Sequence, residues 1–160
     1  MADDTKQANA TAWIIELDNG LYVAVGELEM VHIVQSPELF DIPHTPFYCS
    51  QVLFWQNNII PVMDLLAWLE GYAIPRMHDM IGIFTYQQQP DAPLDFGALP
   101  IVSIPARAQV GDEQACELPT HPLGWRELSI SCFSDNYRVI PILDLPYIFS
   151  TGLQQNTGVT

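Results

Sequence analysis

Two aspartates, Asp64 and Asp144, are the first candidates for chemistry, because a pair of carboxylates can divide general acid and general base work. They hold matching places in two similar segments, residues 59–69 (IIPVMDLLAWL) and 139–149 (VIPILDLPYIF), 80 residues apart. The repeat assigns them to separate, equivalent units, and in each the side-chain oxygen suits the cap of a short helix. Helix capping is therefore the reading of both. His32, His44, His78 and His121 share no metal-ligand spacing such as His-x-x-x-His, so no metal is expected. Ser129 and Ser131 lack the Gly-x-Ser-x-Gly setting of a hydrolase nucleophile. Cys49, Cys116 and Cys132 form no Cys-x-x-Cys pair and read as free thiols of a reducing compartment. Cys49 and Cys132 lie at strand entrances among apolar neighbours and read as buried and inert. No catalytic residue, no metal and no cofactor is expected. A repeated unit without chemistry points to a binding module.

Charge narrows what such a module can bind. The net charge is −14, with Lys6, Arg76, Arg107, Arg126 and Arg138 as the only lysine and arginines. Five scattered cations draw no basic stripe, so nucleic acid is excluded as a partner and anionic membrane surfaces are disfavoured. A basic partner surface would be welcome. The first residues, Met-Ala-Asp-Asp-Thr-Lys, lack a basic segment followed by an apolar one. No apolar run approaches the length of a membrane span, so no membrane insertion is expected and the location is expected to be cytoplasmic.

The elements that must position these residues are short. Hydrophobic residues make up 49% of the 160, which allows a packed interior, and 13 prolines interrupt it often enough to favour strands over long helices. Residues 1–11 are expected to be a flexible N-terminus. Strands are expected at 13–17, 21–25 and 30–34, the first two joined by the turn Asp18-Asn19-Gly20. Proline-rich residues 36–46 read as a crossover. A hairpin over 52–55 and 59–63 turns at Gln56-Asn57-Asn58, and Asp64 caps a helix over 65–70 that Gly71 stops. The second half repeats this order with strands at 80–86 and 99–104, a continuation at 108–110, a crossover over 111–126, and a hairpin over 128–133 and 137–142. Asn57-Asn58 and Asp135-Asn136 read as its equivalent turn pairs. Asp144 caps the last helix, with Pro146 tolerated in its first turn. Residues 87–98 read as a polar mobile loop and 150–160 as a flexible C-terminus.

At this point the residues resemble a known family. The run from Ile42 to Leu65 lines up without a gap on the central signature of CheW-like domains, V-P-x-T-P-x-x-I-x-G-x-I-x-x-R-G-x-I-I-P-V-I-D-L. Pro43, Thr45, Pro46, Ile59-Ile60-Pro61-Val62 and Asp64-Leu65 carry the match. Residues 18–34 resemble the family's opening hairpin and 139–149 its closing segment. The resemblance implies an all-β fold: two small five-stranded SH3-like barrels packed side by side, with short capping helices. It implies a single CheW-like domain over 12–149, with barrel-like halves of about 12–75 and 76–149. It also implies a non-enzymatic adaptor of bacterial chemotaxis-type signal transduction, linking chemoreceptors to a CheA-type histidine kinase. Some members serve systems that control type IV pili. The implied partners are the regulatory domain of the kinase and the helical tip of a methyl-accepting chemoreceptor, and the implied place is the cytoplasm beside membrane-bound receptor arrays.

The chain departs from the family where the signature has Arg-Gly, which is Gln56-Asn57 here. Asparagine can stand in for a turn glycine. Glutamine cannot reproduce the fixed charge and five-donor fork of arginine. The candidate partner-binding residues are therefore Gln56, Asn57 and Asn58 at the turn, Glu27 and Glu29 as an acidic rim, and Val31 and Ile33 on the third strand. Alternation places Val31 and Ile33 together, either in core or in an exposed apolar seam that takes a partner helix. Two other readings stand beside the adaptor. One is a small β-barrel enzyme or ligand-binding protein using the inter-barrel cleft; the other is a structural scaffold that no longer binds kinase.

Overall fold

The computed structural model describes residues 9–18, 20–120 and 124–150. In chain order the strands are β1 (Ala10–Asp18), β2 (Leu21–Gly26), β3 (Met30–Gln35), β4 (Phe40–Asp41), β5 (Gln51–Trp55), β6 (Asn58–Val62), β7 (Met80–Tyr86), β8 (Asp95–Pro100), β9 (Ala106–Val110), β10 (Ser129–Asp135) and β11 (Arg138–Leu143). Three short helices accompany them: α1 (Leu65–Glu70), α2 (Trp125–Leu128) and α3 (Leu145–Phe149). The chain is all-β in class, with two packed sheets.

Alternation explains why the sheets pack. On β1, Ile15 and Leu17 enter the largest apolar cluster, which holds side chains from both sheets and from all three helices. On the opposite face Ala12 and Ile14 pack with Ala24, Phe133 and Ile140 in the interior of the first sheet. Leu53, Ile60, Val62, Ile81, Ile83 and Ala98 fill the interior of the second. A strand that is apolar on both faces must be covered on both. Each sheet therefore curls around its own small core, and the two share the large one between them.

The strands are not divided as two contiguous halves. The first sheet runs β10-β11-β2-β1-β9 and the second β3-β7-β8-β6-β5-β4. The expected boundary at 75/76 therefore separates sequence repeats, but not sheets. β3 leaves its hairpin through a 3-10 turn at Glu27–Glu29 and pairs antiparallel with β7. β9 makes the reciprocal exchange and pairs with β1. Matching parallel contacts, Ile142 with Ala24 and Val62 with Ala98, join each terminal hairpin to its neighbour. The helices cross as well: α1 follows β6 of the second sheet but packs on β1, and α3 follows β11 of the first but packs on β7. A repeat read from sequence shows the order of elements and is silent on which copy each strand pairs with, because both pairings bury the same faces.

Other expectations shift by smaller amounts. The second sheet has a sixth strand, β4, inside the expected crossover of 36–46. β1 begins at Ala10, so the expected flexible N-terminus of 1–11 is too long by two residues; residues 1–8 and 151–160 lie outside the described residues. β8 begins at Asp95, which shortens the expected loop of 87–98 at its end. That loop is tied down by hydrogen bonds from Gln87 Nε2 to the Ala92 carbonyl (2.7 Å) and from Gln88 Nε2 to the Pro146 carbonyl (3.3 Å). The expected strand at 128–133 starts one residue late because Leu128 ends α2, where it is fully buried.

Candidate partner-binding site

The two repeated units behave as the capping argument requires. Asp64 Oδ1 accepts a hydrogen bond from the Ala67 amide (3.1 Å), and Asp144 Oδ1 accepts one from the Tyr147 amide (3.3 Å). Their backbone amides donate to the Tyr48 and Leu128 carbonyls, both at 2.7 Å. Asp64 also accepts from Arg76 Nη2 at 2.6 Å. Both carboxylates are thus spent on structure. Among the described residues no three His, Cys, Asp or Glu gather as a metal site, and His121 lies outside them. Burial pushes the Cys49 thiol up to about 11. The half-buried His78 is held below its usual value by burial and by the nearby Arg76 charge.

The candidate surface begins where β2 becomes β3. Glu29 Oε1 accepts from the Gly26 amide (2.8 Å) and closes the 3-10 turn. Burial raises the Glu29 carboxyl above the usual range; the Gly26 hydrogen bond opposes this and the charge of Asp144 adds to it. Glu27 is exposed, forms an ion pair with Arg107 of β9, and accepts from Trp13 Nε1 through its carbonyl (3.1 Å). The Arg107 guanidinium lies 5.7 Å from the Trp13 ring centroid, within the range of a cation–π contact. Glu27, Trp13 and Arg107 therefore knit the crossing strand to both β1 and β9.

Val31 and Ile33 do not share a face. A β-bulge between Met30 and His32 inserts one residue in β3. Beyond a bulge the alternation changes phase. Met30 and Ile33 pack against the large shared core, Val34 packs against the core of the second sheet, and Val31 is exposed. Trp13, Met30, Val31, His32 and Ile33 line a shallow depression of 370 Å³. Leu28, almost fully exposed in the preceding turn, was not singled out by sequence reasoning. An apolar residue between two turn glutamates was the signal that could have found it.

A stack of rings leads from this depression toward the hairpin of β5 and β6. His32 stacks on Trp55 at 5.7 Å, and Trp55 meets Phe96 edge-on at 5.8 Å. Trp55 directly precedes the turn. Gln56 and Asn57 adopt left-handed backbone, with φ of 49° and 66°, and both are exposed. Asn58 starts β6 and its Nδ2 donates to the Gln56 carbonyl (3.1 Å). The repeat has Asn136 and Tyr137 in the same conformation, φ 50° and 65°. The turn pairs are thus Gln56-Asn57 and Asn136-Tyr137, each shifted by one from the pairs read from sequence. A two-residue hairpin loop of type I′ needs positive φ at both central positions, and the strand register decides which two these are. Glu27 reaches β9 through Arg107 and β1 through Trp13, and Glu29 reaches its own turn through the Gly26 amide.

One further patch was missed. Phe54 of β5 faces Ile59 of β6 across the strands, and both are more than half exposed. Phe40 of β4 meets Phe54 at 5.1 Å. The signal was an apolar residue on the outward phase of an alternating strand, but it was unreadable without knowing that β4 joins there.

Comparison with known proteins agrees with this architecture. The CheW-like domain family matches residues 13–153. The crystal structure of the scaffolding protein TtCheW from Thermoanaerobacter tengcongensis superposes with a TM-score of 0.71 at 14% identity, covering 95% of this chain and 96% of that one. No curated protein matches the chain. With nearly its whole length matched from the first strand to beyond the last helix, the chain belongs to the CheW-like domain family.

Proposed function

We propose that the chain is a chemotaxis-type adaptor that joins the helical tip of a chemoreceptor to the regulatory domain of a CheA-type histidine kinase. It acts by recognition alone, in the cytoplasm beside membrane-bound receptors. The observation that carries the reading is the depression at the β2–β3 crossing, where Val31 is exposed over Trp13, Met30 and Ile33 at the margin of the shared core. An exposed apolar shelf beside the core suits the apolar stripe of a partner helix. The kinase domain, expected to resemble this chain in fold, is assigned to the exposed hairpin of β5 and β6, with Gln56, Asn57 and Asn58 at its tip.

Supporting observations are the paired aspartates, whose carboxylates cap helices, and the family membership. No helix among the described residues is long and apolar enough to cross a membrane. The turn favours a second reading, a scaffold that binds receptors without kinase, because Gln56 offers no guanidinium. The test is a titration of the purified protein with a receptor tip fragment and, separately, with the kinase regulatory domain. Saturable binding of both, and a ternary complex on mixing, is the expected result. Binding of the receptor fragment alone would establish the second reading, and binding of neither would overturn the proposal.

A further inference from the structure

The sequence separates Cys116 and Cys132, but the fold brings them together. Cys116 follows the short 3-10 turn Asp112–Gln114, where Ala115 pairs with Phe133 of β10 in an antiparallel bridge. The next step of that pairing sets Cys116 opposite Cys132. The Cys116 amide donates to the Cys132 carbonyl at 3.4 Å, the Cys132 thiol donates to the Cys116 carbonyl at 2.9 Å, and the two sulfurs lie 3.3 Å apart. Directly opposed residues on antiparallel strands have Cα atoms about 4.5–5.5 Å apart, inside the range of about 4.4–6.8 Å that a disulfide accepts. Bonding needs the sulfurs to close to about 2.05 Å, a side-chain rotation rather than a backbone movement.

We propose that Cys116 and Cys132 form an oxidisable dithiol that a peroxide converts to an intramolecular disulfide. Exposure orders the steps. Cys116 is partly exposed and Cys132 is buried. Burial and the contact with Cys116 push the Cys132 thiol up to about 12, so it stays protonated and does not react first. The Cys116 sulfur attacks the peroxide, the O–O bond breaks, one water leaves, and Cys116 becomes a sulfenic acid. The Cys132 sulfur then attacks the sulfenic sulfur; the S–S bond forms, the S–O bond breaks, and the departing hydroxide takes the Cys132 proton as a second water. The two thiols lose two electrons to the peroxide. Cys49 belongs to the large shared core and takes no part.

The bond would tie the 3-10 turn to β10 and close the stretch of chain that holds α2, whose Trp125 and Leu128 are core residues. A cross-link over a loop of this size constrains the unfolded chain most, and the expected gain is a melting temperature higher by about 5–10 °C. The experiment treats the folded full-length chain with hydrogen peroxide, then compares intact mass, a non-reducing peptide map and thermal melting. The expected result is a loss of 2 Da, a peptide joining Cys116 to Cys132, and a higher melting temperature that dithiothreitol reverses. Cys116→Ser should abolish both the mass loss and the shift, whereas Cys49→Ser should leave both. A gain of oxygen mass without the 2 Da loss, a cross-link to Cys49 or between chains, or an unchanged mass would each overturn the proposal.

Discussion

The hairpin and helix of residues 51–70 and those of residues 129–149 are the same object built twice, but they meet their surroundings differently. Both have a two-residue left-handed turn, a proline inside the second strand, and an aspartate that caps the next helix. In the first unit the cap is tied to Arg76 and the turn carries Gln56-Asn57. In the second no cation among the described residues pairs with Asp144; Arg138 instead pairs with Asp135 (3.0 Å) and lies over the Tyr22 ring at 4.3 Å. The outer strands differ too: Phe54 and Ile59 are exposed on the first, Ile130, Tyr137 and Val139 on the second. Backbone and caps are thus held in common, while the polar ties and the exposed side chains are not. A fold that is symmetric inside can present two dissimilar surfaces to two partners.

The largest effect should come from the crossing of the second unit's helix onto the other sheet. Phe149 stacks on Tyr86 at 5.6 Å and lies against Gly97, where an added Cβ would meet three ring carbons at 2.5 Å. Gly97→Ala should therefore lower stability by about 2–3 kcal/mol in a denaturant titration. Adding Phe149→Leu should recover part of that loss. A Gly97→Ala protein as stable as the parent would mean that α3 does not seat on β8 as described.

Next come the caps. Asp144→Ala removes one amide acceptor and should cost about 1 kcal/mol. Asp64→Ala removes the same bond and also strips Arg76, only 20% exposed, of its carboxylate. Its cost should be larger, about 2 kcal/mol. Equal losses would show that the Arg76 ion pair is neutral and that the two caps are equivalent in energy as well as in geometry.

Smaller effects lie at the turns. Tyr137 is fully exposed at a positive φ that costs a non-glycine residue about 1 kcal/mol, so Tyr137→Gly should stabilise by up to that amount. Asn57→Gly should gain only about a few tenths of a kcal/mol, because asparagine tolerates this conformation. Thermal melts of the two variants read the difference directly, and a larger gain at Asn57 would reverse the comparison.

The pH effect links the crossing to the second unit. The Glu29 carboxyl is raised, chiefly by burial, so the folded state holds its proton where the unfolded state has lost it. Its contribution favours folding most below the ordinary glutamate value of about 4.3 and is lost as pH rises through the folded value. Glu29→Gln should make stability less dependent on pH in that window while keeping the acceptor for the Gly26 amide. Asp144→Asn should lower the Glu29 titration midpoint, since the Asp144 charge pushes it upward. An unmoved midpoint would separate the two groups.

Local features were legible in sequence to the degree that local chemistry decides them. Asp64 and Asp144 had to cap, Gly71 had to stop a helix in left-handed backbone, and the repeat marked the two hairpins. The family signature added the all-β class with two packed sheets. Pairing partners were not legible: β3 and β9 exchange sheets through contacts that the repeat itself cannot distinguish. The bulge at Val31 was equally hidden, because Met30 to Val34 reads as unbroken alternation until β7 fixes the register. Cys116 and Cys132 looked unrelated because the bridge between Ala115 and Phe133 joins a turn to a strand.

Under the proposed function, recognition of a receptor helix rests on the exposed shelf at the β2–β3 crossing and is separable from kinase binding. The decisive measurement is calorimetric titration of Val31→Asp against a receptor tip fragment, with the kinase regulatory domain as control. Val31 is exposed, so the substitution should change stability by no more than about 0.5 kcal/mol. The expected result is receptor affinity lower by about tenfold or more, the loss expected at an interface hot spot, with kinase affinity unchanged. Unchanged receptor affinity, or equal loss of both partners from a protein that still melts at the parent temperature, would contradict it.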